Sequence, residues 1–395
     1  MLEFTSAGES HGKGLVGIIE GLPAGLAINE TEINAELNRR QQGYGRGGRM
    51  NIETDTVEIL SGVRDGKTLG SPVSFFIANK DHENWQGIMN IGPLASANDR
   101  KVTRPRPGHA DLAGAIKYNH EDMRNILERA SARETAVRTA AGAIFKQLLL
   151  QFGIYIYSEV VAIGGLTCKA FRPERESLKK FKELAGKSQI GCTDLGREKE
   201  MIKLIDAARQ QGESLGGVFE LGAIGVTPGL GSHISFDRRL DARLAALLMS
   251  IPAIKAVEIG DGAMNAALPG SMVHDEMHYN NEKGIYRTTN RAGGIEGGIS
   301  NGETILARVH MKPIPTLYKP LQSVNTSLWR EEKATVERSD VCAVPAAAVV
   351  GEAMLAYGIA EALMEQLGGD NLMQMQQNYK SYRKYLQKVW QWRKI

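Results

Sequence analysis

The chain has 395 residues, 42% of them hydrophobic and 24% charged, which is the composition of an ordinary globular protein. Its net charge of +3 is too small to indicate nucleic acid, and its three cysteines lack metal-site spacing. A sparse, odd cysteine count and an N-terminus without a signal-peptide pattern predict a cytoplasmic protein. The apolar stretch from Val341 to Leu363 contains Pro345, Glu352 and Glu361. It predicts a buried helix and not a membrane span.

The N-terminal part alternates loops, strands and helices. A polar loop, Gly8-Glu-Ser-His-Gly-Lys13, precedes a predicted strand at Leu15–Glu20. Asn29 and Glu32 have the spacing of a capping box and predict the start of a helix. The Asp65-Gly66 pair is a turn signal between two strands. Further elements are predicted as strands at Thr56–Leu60, Val73–Ala78 and Tyr155–Val161, and as helices at Ala110–Asn119 and Ser131–Phe152.

The stretch Arg129-Ala-Ser-Ala-Arg-Glu-Thr135 opens the longest of these helices. Ser131 and Glu134 form a second capping box, which predicts Ser131 as the N-cap. Free N–H groups at a helix start bind anions, and arginines flank this one. Just upstream, Arg104-Pro-Arg-Pro-Gly-His109 is a proline-stiffened segment with two more arginines. Together they favour a phosphorylated or carboxylated ligand, although solvated arginines beside a well-capped helix remain an alternative.

The second half of the chain repeats the order of the first. Gly212-Glu-Ser-Leu-Gly-Gly217 matches Gly8-Glu-Ser-His-Gly-Lys13, and a strand follows in both. The matches predict two similar halves, about 1–160 and 201–368, that share one core in a single domain. Short turns require antiparallel strands, so we expect an α+β fold with antiparallel sheets around long buried helices. Residues 165–200 fit neither copy and are predicted to be a surface insertion.

The C-terminal tail, 370–395, holds six Lys/Arg against one acid and is rich in Tyr and Trp. Its sequence is compatible with a helix that packs on a neighbouring subunit or with a mobile end.

Two histidines are candidates for proton transfer. His11 lies in a glycine-bounded loop and His109 follows Arg-Pro-Gly, and imidazole titrates near neutral pH. Leu215 takes the place of His11 in the second copy, which suggests that the loop itself needs no imidazole. Asp340 precedes the buried helix and could act as a base if desolvated, or simply as an N-cap.

Three glycine- or proline-rich segments are further candidates for ligand binding. Arg40, Arg46 and Arg49 surround the loop Gly43–Gly48, where they are expected to close over a small polyanion; RNA binding is the alternative. Asn290-Arg-Ala-Gly-Gly-Ile-Glu-Gly-Gly298 is not a dinucleotide motif, but it could offer backbone N–H groups to a ring or phosphate. Two prolines in Lys312-Pro-Ile-Pro-Thr316 hold Lys312 and Thr316 rigidly after a predicted strand at Glu303–Met311. No spacing predicts a metal site.

These segments in order resemble chorismate synthase. The motifs of the resemblance are Gly8-Glu-Ser-His-Gly12, Arg104-Pro-Arg-Pro-Gly-His-Ala-Asp111, Arg129–Thr135, Val257-Glu-Ile-Gly-Asp-Gly262, Asn290-Arg-Ala-Gly-Gly294, Lys312–Thr316 and Arg338-Ser-Asp340. The likeness covers about 1–368 and leaves out the tail. It implies a β-α-β sandwich that assembles as a homotetramer.

The resemblance also implies a reaction and a cofactor. In that family 5-enolpyruvylshikimate 3-phosphate loses phosphate and a ring proton to give chorismate, with reduced FMN and no net redox change. By similarity His11 protonates the leaving phosphate, His109 serves the flavin near its pyrimidine edge, and Asp340 works near flavin N5. FMN contacts map to Arg129, Ala130, Ser131, Pro252, Ala253, Gly297, Lys312, Pro313, Ile314, Pro315, Thr316 and Arg338. Residues expected to bind substrate or NADP phosphates and carboxylates are Ser10, Arg40, Arg46, Arg49, Arg106 and Arg133, with Arg338.

Two positions depart from the family pattern, namely Pro252, where asparagine is expected, and Ala130, where serine is usual. Whether NADPH reduces the flavin on this chain stays open.

A flavin oxidoreductase that transfers hydride to a small substrate is the rival interpretation, and it requires net consumption of NAD(P)H. A nucleic-acid-binding protein, using the Gly-Arg loop and the basic tail, is a second rival and requires strongly salt-dependent binding. No nucleic-acid or membrane partner is expected.

Overall fold

A computed structural model of the chain describes residues 2–47, 54–92, 100–337 and 339–392. The strands are β1 Glu3–Ala7, β2 Gly14–Glu20, β3 Glu58–Ser61, β4 Val63–Arg64, β5 Lys67–Thr68, β6 Val73–Ala78, β7 Tyr155–Ile163, β8 Leu166–Thr167, β9 Gly217–Ile224, β10 Ile254–Ile259, β11 Met277–Asn280, β12 Gly284–Arg287, β13 Ile295–Glu296, β14 Ile299–Ser300, β15 Ile305–Met311, β16 Gln322–Asn325 and β17 Arg330–Lys333. The helices are α1 Glu30–Gln41, α2 Asp111–Tyr118, α3 Arg124–Leu127, α4 Thr135–Leu150, α5 Leu178–Lys187, α6 Leu195–Gln210, α7 Leu240–Met249, α8 Gly262–Asn265, α9 Gly270–Val273, α10 Val344–Leu367 and α11 Leu372–Trp390.

Two antiparallel sheets form the framework. The first has the strand order β1-β2-β6-β3, and the second β10-β15-β9-β7-β8. In both, the strand after a Gly-Glu-Ser loop, β2 or β9, pairs with one earlier strand, β1 or β7, and with one later strand, β6 or β15. This common order is compatible with two similar halves, but the duplication itself stays a prediction.

Long buried helices fill the space beside the sheets. Helix α4 packs on β1 and β2 of the first sheet, while α10 packs on β7 and β9 of the second. Gly142 on α4 lets the two helices approach closely, because a Cβ there would lie 2.1 Å from the Cβ of Ala353 on α10. Phe145 and Tyr357 stack across the same contact with ring centroids 5.0 Å apart. The predicted α+β class, antiparallel sheets packed against buried helices, is confirmed.

Helix α10 is the one described helix long and apolar enough to cross a membrane, and 83% of its most apolar stretch is buried inside the protein. It therefore serves as a core helix, as the proline and glutamates in its sequence predict.

Two of three local signals in the sequence, a helix cap and a turn, are confirmed in full. Asn29 caps α1, accepting hydrogen bonds from the backbone N–H of Thr31 and Glu32. Asp65 and Gly66 form the turn between β4 and β5 with φ values of 50° and 66°. The capping box at Ser131 is only half formed. Ser131 accepts from Arg133 N–H at 3.2 Å, but the Glu134 carboxylate turns to Arg138 and Ser6 instead of reaching back.

The predicted surface insertion is more structured than its composition indicates. It contains β8, α5 and the start of α6, and Ile190 and Cys192 are fully buried. The tail forms α11, which packs on its own chain: Met375, Tyr379 and Leu386 are buried. The tail therefore forms a helix as far as Trp390, and its packing on a neighbouring subunit stays a prediction.

Candidate active site

A basic cavity of about 1190 Å³ lies where the loops that follow or precede the core elements converge. It is lined by the predicted site residues Ser10, His11, Arg40, Arg46, Arg106, His109, Ala130, Ser131, Arg133, Pro252, Ala253, Lys312, Ile314, Pro315, Thr316 and Asp340. Further basic side chains on its wall are Arg100, Lys101, Arg104 and Arg124. Residues up to 330 positions apart in sequence thus meet in one pocket.

His11 is held on two sides. Its Nδ1 lies 2.8 Å from Glu128 Oε1, and its backbone N–H donates to Glu128 Oε2 at 2.8 Å. The imidazole stacks on Trp85 with centroids 3.9 Å apart. With Nδ1–H donated to the carboxylate, Nε2 is the nitrogen that can exchange a proton in the pocket. Asp81 Oδ2 lies 3.8 Å from it.

Glu128 is almost fully buried, which by itself raises the pKa of its carboxyl group. The hydrogen bonds from His11 and the charge of Arg124 outweigh burial and lower the pKa of Glu128. Arg124 Nη1 lies 3.3 Å from this carboxylate and Nη2 lies 3.1 Å from Glu337. Glu128 is therefore an ionised partner for the imidazole.

His109 has a carboxylate partner too. Its Nδ1 lies 2.6 Å from Oδ1 of Asp111, which is fully buried at the start of α2. Arg106 donates to the same carboxylate through Nε at 2.9 Å and to Thr316 Oγ1 at 2.8 Å. Although burial opposes ionisation, hydrogen bonds from His109 and Arg106 hold the pKa of Asp111 well below its usual range. This network joins the segment before α2 to the Lys312–Thr316 segment.

The start of α4 carries a buried charge cluster. Arg133 Nη1 lies 2.5 Å from Asp55 Oδ1, and its Nε donates to Asn79 at 2.8 Å. Arg40 Nη1 lies 3.4 Å from the other Asp55 oxygen, and Arg40 also donates to the carbonyl of Ala132 at 3.1 Å. Burial lowers the pKa of Arg40 to about 9, against the opposing charge of Asp55. Two arginines thus contact the same Asp55 carboxylate beside the pocket.

Asp340 also lines the pocket. Its Oδ1 accepts from Gly47 N–H at 2.6 Å and its Oδ2 lies 3.0 Å from Arg46 Nη1. It does not cap α10, because that helix begins at Val344 and no side chain caps it. The N-cap alternative for Asp340 is therefore wrong, and the carboxylate instead holds the loop after α1.

The Lys312–Thr316 segment leaves β15 at the pocket. Lys312 Nζ donates to the carbonyl of Gly108 at 2.5 Å, and burial together with Lys255 lowers the pKa of Lys312. Lys312 N–H also donates to the carbonyl of Ala253 at 2.9 Å. Ala253 has a φ of 68°, a left-handed conformation that alanine rarely adopts. Such strained backbone concentrates at functional sites.

Several predicted residues do not line this pocket. The Arg129 side chain donates to the carbonyls of Ser6 and Gly8, so it fastens β1 instead. Pro313 is adjacent to the lining, and Gly297 lies in the turn between β13 and β14 away from it. Arg49 and Arg338 fall outside the described residues.

The first part of the Asn290–Gly298 loop uses its N–H groups to hold its own shape. Arg291 and Ala292 donate theirs to Asp275, and Gly294 donates to the Asn290 side chain. A contact of a ring or phosphate with the remaining N–H groups, at Gly297 and Gly298, stays a prediction.

Sequence reasoning missed the buried partners Glu128, Asp111, Asp55, Asn79 and Trp85. Two of them had a signal, since Asp111 stands two residues after His109 and Glu128 directly precedes Arg129. The others had none, because Asp55 meets Arg133 across 78 positions.

A pocket with two carboxylate-held histidines and a surplus of arginines defines an enzyme that transfers protons on a small anionic ligand. A family model described as chorismate synthase matches residues 2–364. The chain belongs to the chorismate synthase family.

Curated relatives match over the whole chain. A chorismate synthase from Syntrophomonas wolfei subsp. wolfei is 60% identical over 395 residues, 100% of both proteins. One from Geotalea uraniireducens is 55% identical and covers 98% of this chain and 99% of its own. A solved structure, a crystal structure of chorismate synthase, is 45% identical with a TM-score of 0.79 and covers 98% of this chain and 99% of its own.

Proposed function

We propose that the basic pocket is where this chain converts 5-enolpyruvylshikimate 3-phosphate into chorismate, the last step of the shikimate pathway toward aromatic amino acids. The observation that carries the proposal is the His11–Glu128 pair on the wall of an arginine-rich cavity, in a chain of this family. The substrate is a phosphate ester that also carries free carboxylates, so it needs cationic partners and a proton donor at the leaving phosphate.

The pocket has room and chemistry for FMN beside the substrate. Its volume of about 1190 Å³ exceeds the usual range for a single small ligand. Ala346, Ala347 and Val350 give it an apolar wall for a flat ring, while Ser131 and Thr316 offer hydroxyls. We assign FMN to the Ala130–Ser131, Pro252–Ala253 and Lys312–Thr316 side. When bound in its reduced form, FMN would lend electron density that helps the C–O bond break.

The fit of FMN to this side of the pocket does not depend on Pro252 and Ala130, the two departures from the family pattern. Pro252 and Ala253 contribute through a fixed backbone, which Lys312 N–H holds at the Ala253 carbonyl. Ala130 removes a hydroxyl from the helix start, but the adjacent Ser131 keeps one and exchanges a hydrogen bond with Ser10 at 3.1 Å. A flavin contact at these positions therefore does not require the asparagine or serine side chain.

The cationic residues would bind the anionic groups of substrate and cofactor. Arg40 from α1, Arg133 from the segment before α4, Arg46 and Arg106 all line the pocket and give it a cationic wall. Ionised arginines form bidentate bonds to carboxylate and phosphate. Arg49 and Arg338 are proposed to join them.

His11 is proposed as the general acid. Glu128 takes the hydrogen bond from Nδ1–H, so the proton that moves is the one on Nε2. That proton neutralises the expelled phosphate as its bond breaks. Stacking on Trp85 holds the ring at a fixed orientation, which keeps the proton directed at one place.

His109 and Asp340 are proposed to serve the flavin. Asp111 and Arg106 fix the His109 ring, so one nitrogen faces the pocket with a set orientation. Asp340 is ion-paired with Arg46 at 3.0 Å and would need to turn from it to accept the ring proton of the substrate. Binding of an anion to Arg46 would weaken that ion pair and make the turn easier.

Assembly and context belong to the same proposal. We propose a cytoplasmic homotetramer without a nucleic-acid or membrane partner, and leave NADPH as an optional reductant of the flavin.

The test is an anaerobic assay with 5-enolpyruvylshikimate 3-phosphate, following chorismate formation. Catalytic amounts of reduced FMN should suffice, and flavin oxidised once per turnover would favour a conventional oxidoreductase. His11→Ala should fold and bind FMN and substrate but turn over at least ~10²-fold more slowly, the usual contribution of general acid catalysis. Near-normal turnover of this variant would rule out the acid role.

A further inference from the structure

A second large cavity lies between the tail helix and the second sheet. Its volume is about 1130 Å³. We call it the tail cavity, and define it by Phe152, Arg291, Tyr379, Lys380, Arg383 and Lys384 on its wall. None of the residues assigned above to catalysis or to FMN lines it. The helix α11 that closes it begins after the part of the chain matched by the family model.

The wall of the tail cavity has an excess of positive charge. Basic lining side chains outnumber acidic ones six to four. Arg172 is already neutralised, because it pairs with Glu220 at 2.8 Å and Asp261 at 3.1 Å. In contrast, Lys380 and Lys384 make no ion pair with any described residue.

Two further cations face the same space without a carboxylate. The Arg383 guanidinium lies 5.7 Å from the Tyr379 ring centroid, a cation–π contact that leaves its charge uncompensated. The Arg291 side chain has no ion pair among the described residues, although its backbone is fastened by Asp275. Residues 380, 383 and 384 lie on one face of α11, as i, i+3 and i+4 positions do.

Beside these cations the wall is apolar and aromatic. Phe152 and Tyr379 pack edge to face with centroids 5.3 Å apart, and Trp392 is 8% exposed. Ile224, Val226 and Leu306 complete the apolar part. The cavity therefore has cationic side chains from α11 next to aromatic and apolar side chains. A ligand with a charged end and a flat end requires this combination.

We propose that the tail cavity is a second binding site, for a small organic anion that carries phosphate or carboxylate groups on a flat ring. The charged groups contact Arg291, Arg383 and Lys384, and the ring packs against Phe152 and Tyr379. This site is separate from the active-site pocket and does not depend on the reaction proposed there.

The test uses adenosine 5′-diphosphate and inorganic pyrophosphate as probes of this chemistry. Each is titrated calorimetrically into the full chain in the presence of 5-enolpyruvylshikimate 3-phosphate and one equivalent of oxidised FMN per chain. These ligands occupy the active-site pocket and leave no excess flavin to compete at the tail cavity. The nucleotide should bind with one site per chain. It should bind about 10-fold more tightly than pyrophosphate, because stacking of a base on aromatic rings adds affinity.

A double variant and a control variant test whether the nucleotide binds in the tail cavity. Arg383→Gln with Lys384→Gln should weaken nucleotide binding at least ~10-fold, the loss expected when hydrogen bonds to charged groups are removed. Lys388→Gln is the matched control, since Lys388 lies on α11 but not on the cavity wall. Its affinity should be unchanged. No nucleotide binding, an unaffected double variant, or an equal loss in the control would overturn the proposal. Equal affinity for both probes would overturn the ring contact.

Discussion

Replacing Glu128 by glutamine isolates the role of its charge. The amide keeps the size of the side chain and can still accept from His11 Nδ1, but it removes the negative charge 2.8 Å from the ring. The pair is nearly buried, with 13% and 2% of the side chains exposed, so solvent screens it little. A hydrogen bond to a charged group is worth about 1.5–3 kcal/mol. Glu128→Gln should therefore destabilise the protonated His11 ring by about that amount.

The expected effect is a shift in the pH dependence of catalysis. At about 1.4 kcal/mol per tenfold change, the alkaline limb of the kcat/KM profile should move down by about 1–2 pH units. At a pH above the shifted limb, turnover falls because less enzyme holds the proton on Nε2. Substrate KM should change little, since Glu128 is not expected to touch the substrate.

Glu337→Gln is the matched control. Glu337 also lines the pocket and pairs with the same Arg124, at 3.1 Å, but no hydrogen bond joins it to His11. Profiles of the wild type and both variants are measured anaerobically with reduced FMN. An unmoved limb in Glu128→Gln, or an equal shift in Glu337→Gln, would refute the reasoning.

Three other predictions concern stability. The pKa of Asp111 is lowered in the folded protein, so its stabilising effect is complete above the ordinary aspartate pKa of 3.8 and is lost as the pH falls below that value. Asp111→Asn should flatten the dependence of the unfolding free energy on pH between about pH 2 and 4, and an unchanged slope would contradict this. Asp55→Asn removes the buried carboxylate that Arg40 and Arg133 share and should cost about 3–5 kcal/mol in urea unfolding, with a cost under ~1 kcal/mol as the contrary outcome. Gly142→Ala forces α4 and α10 apart and should cost about 1–3 kcal/mol, whereas Gly186→Ala, whose Cβ meets nothing within 4 Å on α5, should not destabilise; similar effects at both sites would refute the close contact.

Local chemistry explains what the sequence could predict. The Asn29 cap and the Asp65-Gly66 turn depend on residues within three positions, so their signals are readable without the fold. His11 and His109 were recognisable as candidates from their own loops, and the structure brings both to the same pocket; their roles in proton transfer stay predictions.

Partners distant in sequence could not be predicted. Trp85 lies in a 3-10 helix within a stretch of little pattern, and only the fold brings it under His11. Glu134 had the right spacing for a reciprocal cap but binds Arg138, one turn on, since that cation offers a stronger partner than a backbone N–H. The Cys192 environment in the insertion is likewise created by tertiary packing and not by composition.

The spread of the pocket along the chain has a consequence for synthesis on the ribosome. Its walls run from Ser10 to Val350, and Gly47 meets Asp340 only when both have been made. Helix α10, which covers α4, α7, β7 and β9, is also among the last parts to emerge. Until then the growing chain exposes apolar surface that α10 will bury, which is the condition in which nascent proteins depend on chaperones. Translation that stalls before α10 should therefore yield an aggregation-prone fragment without a partial active site.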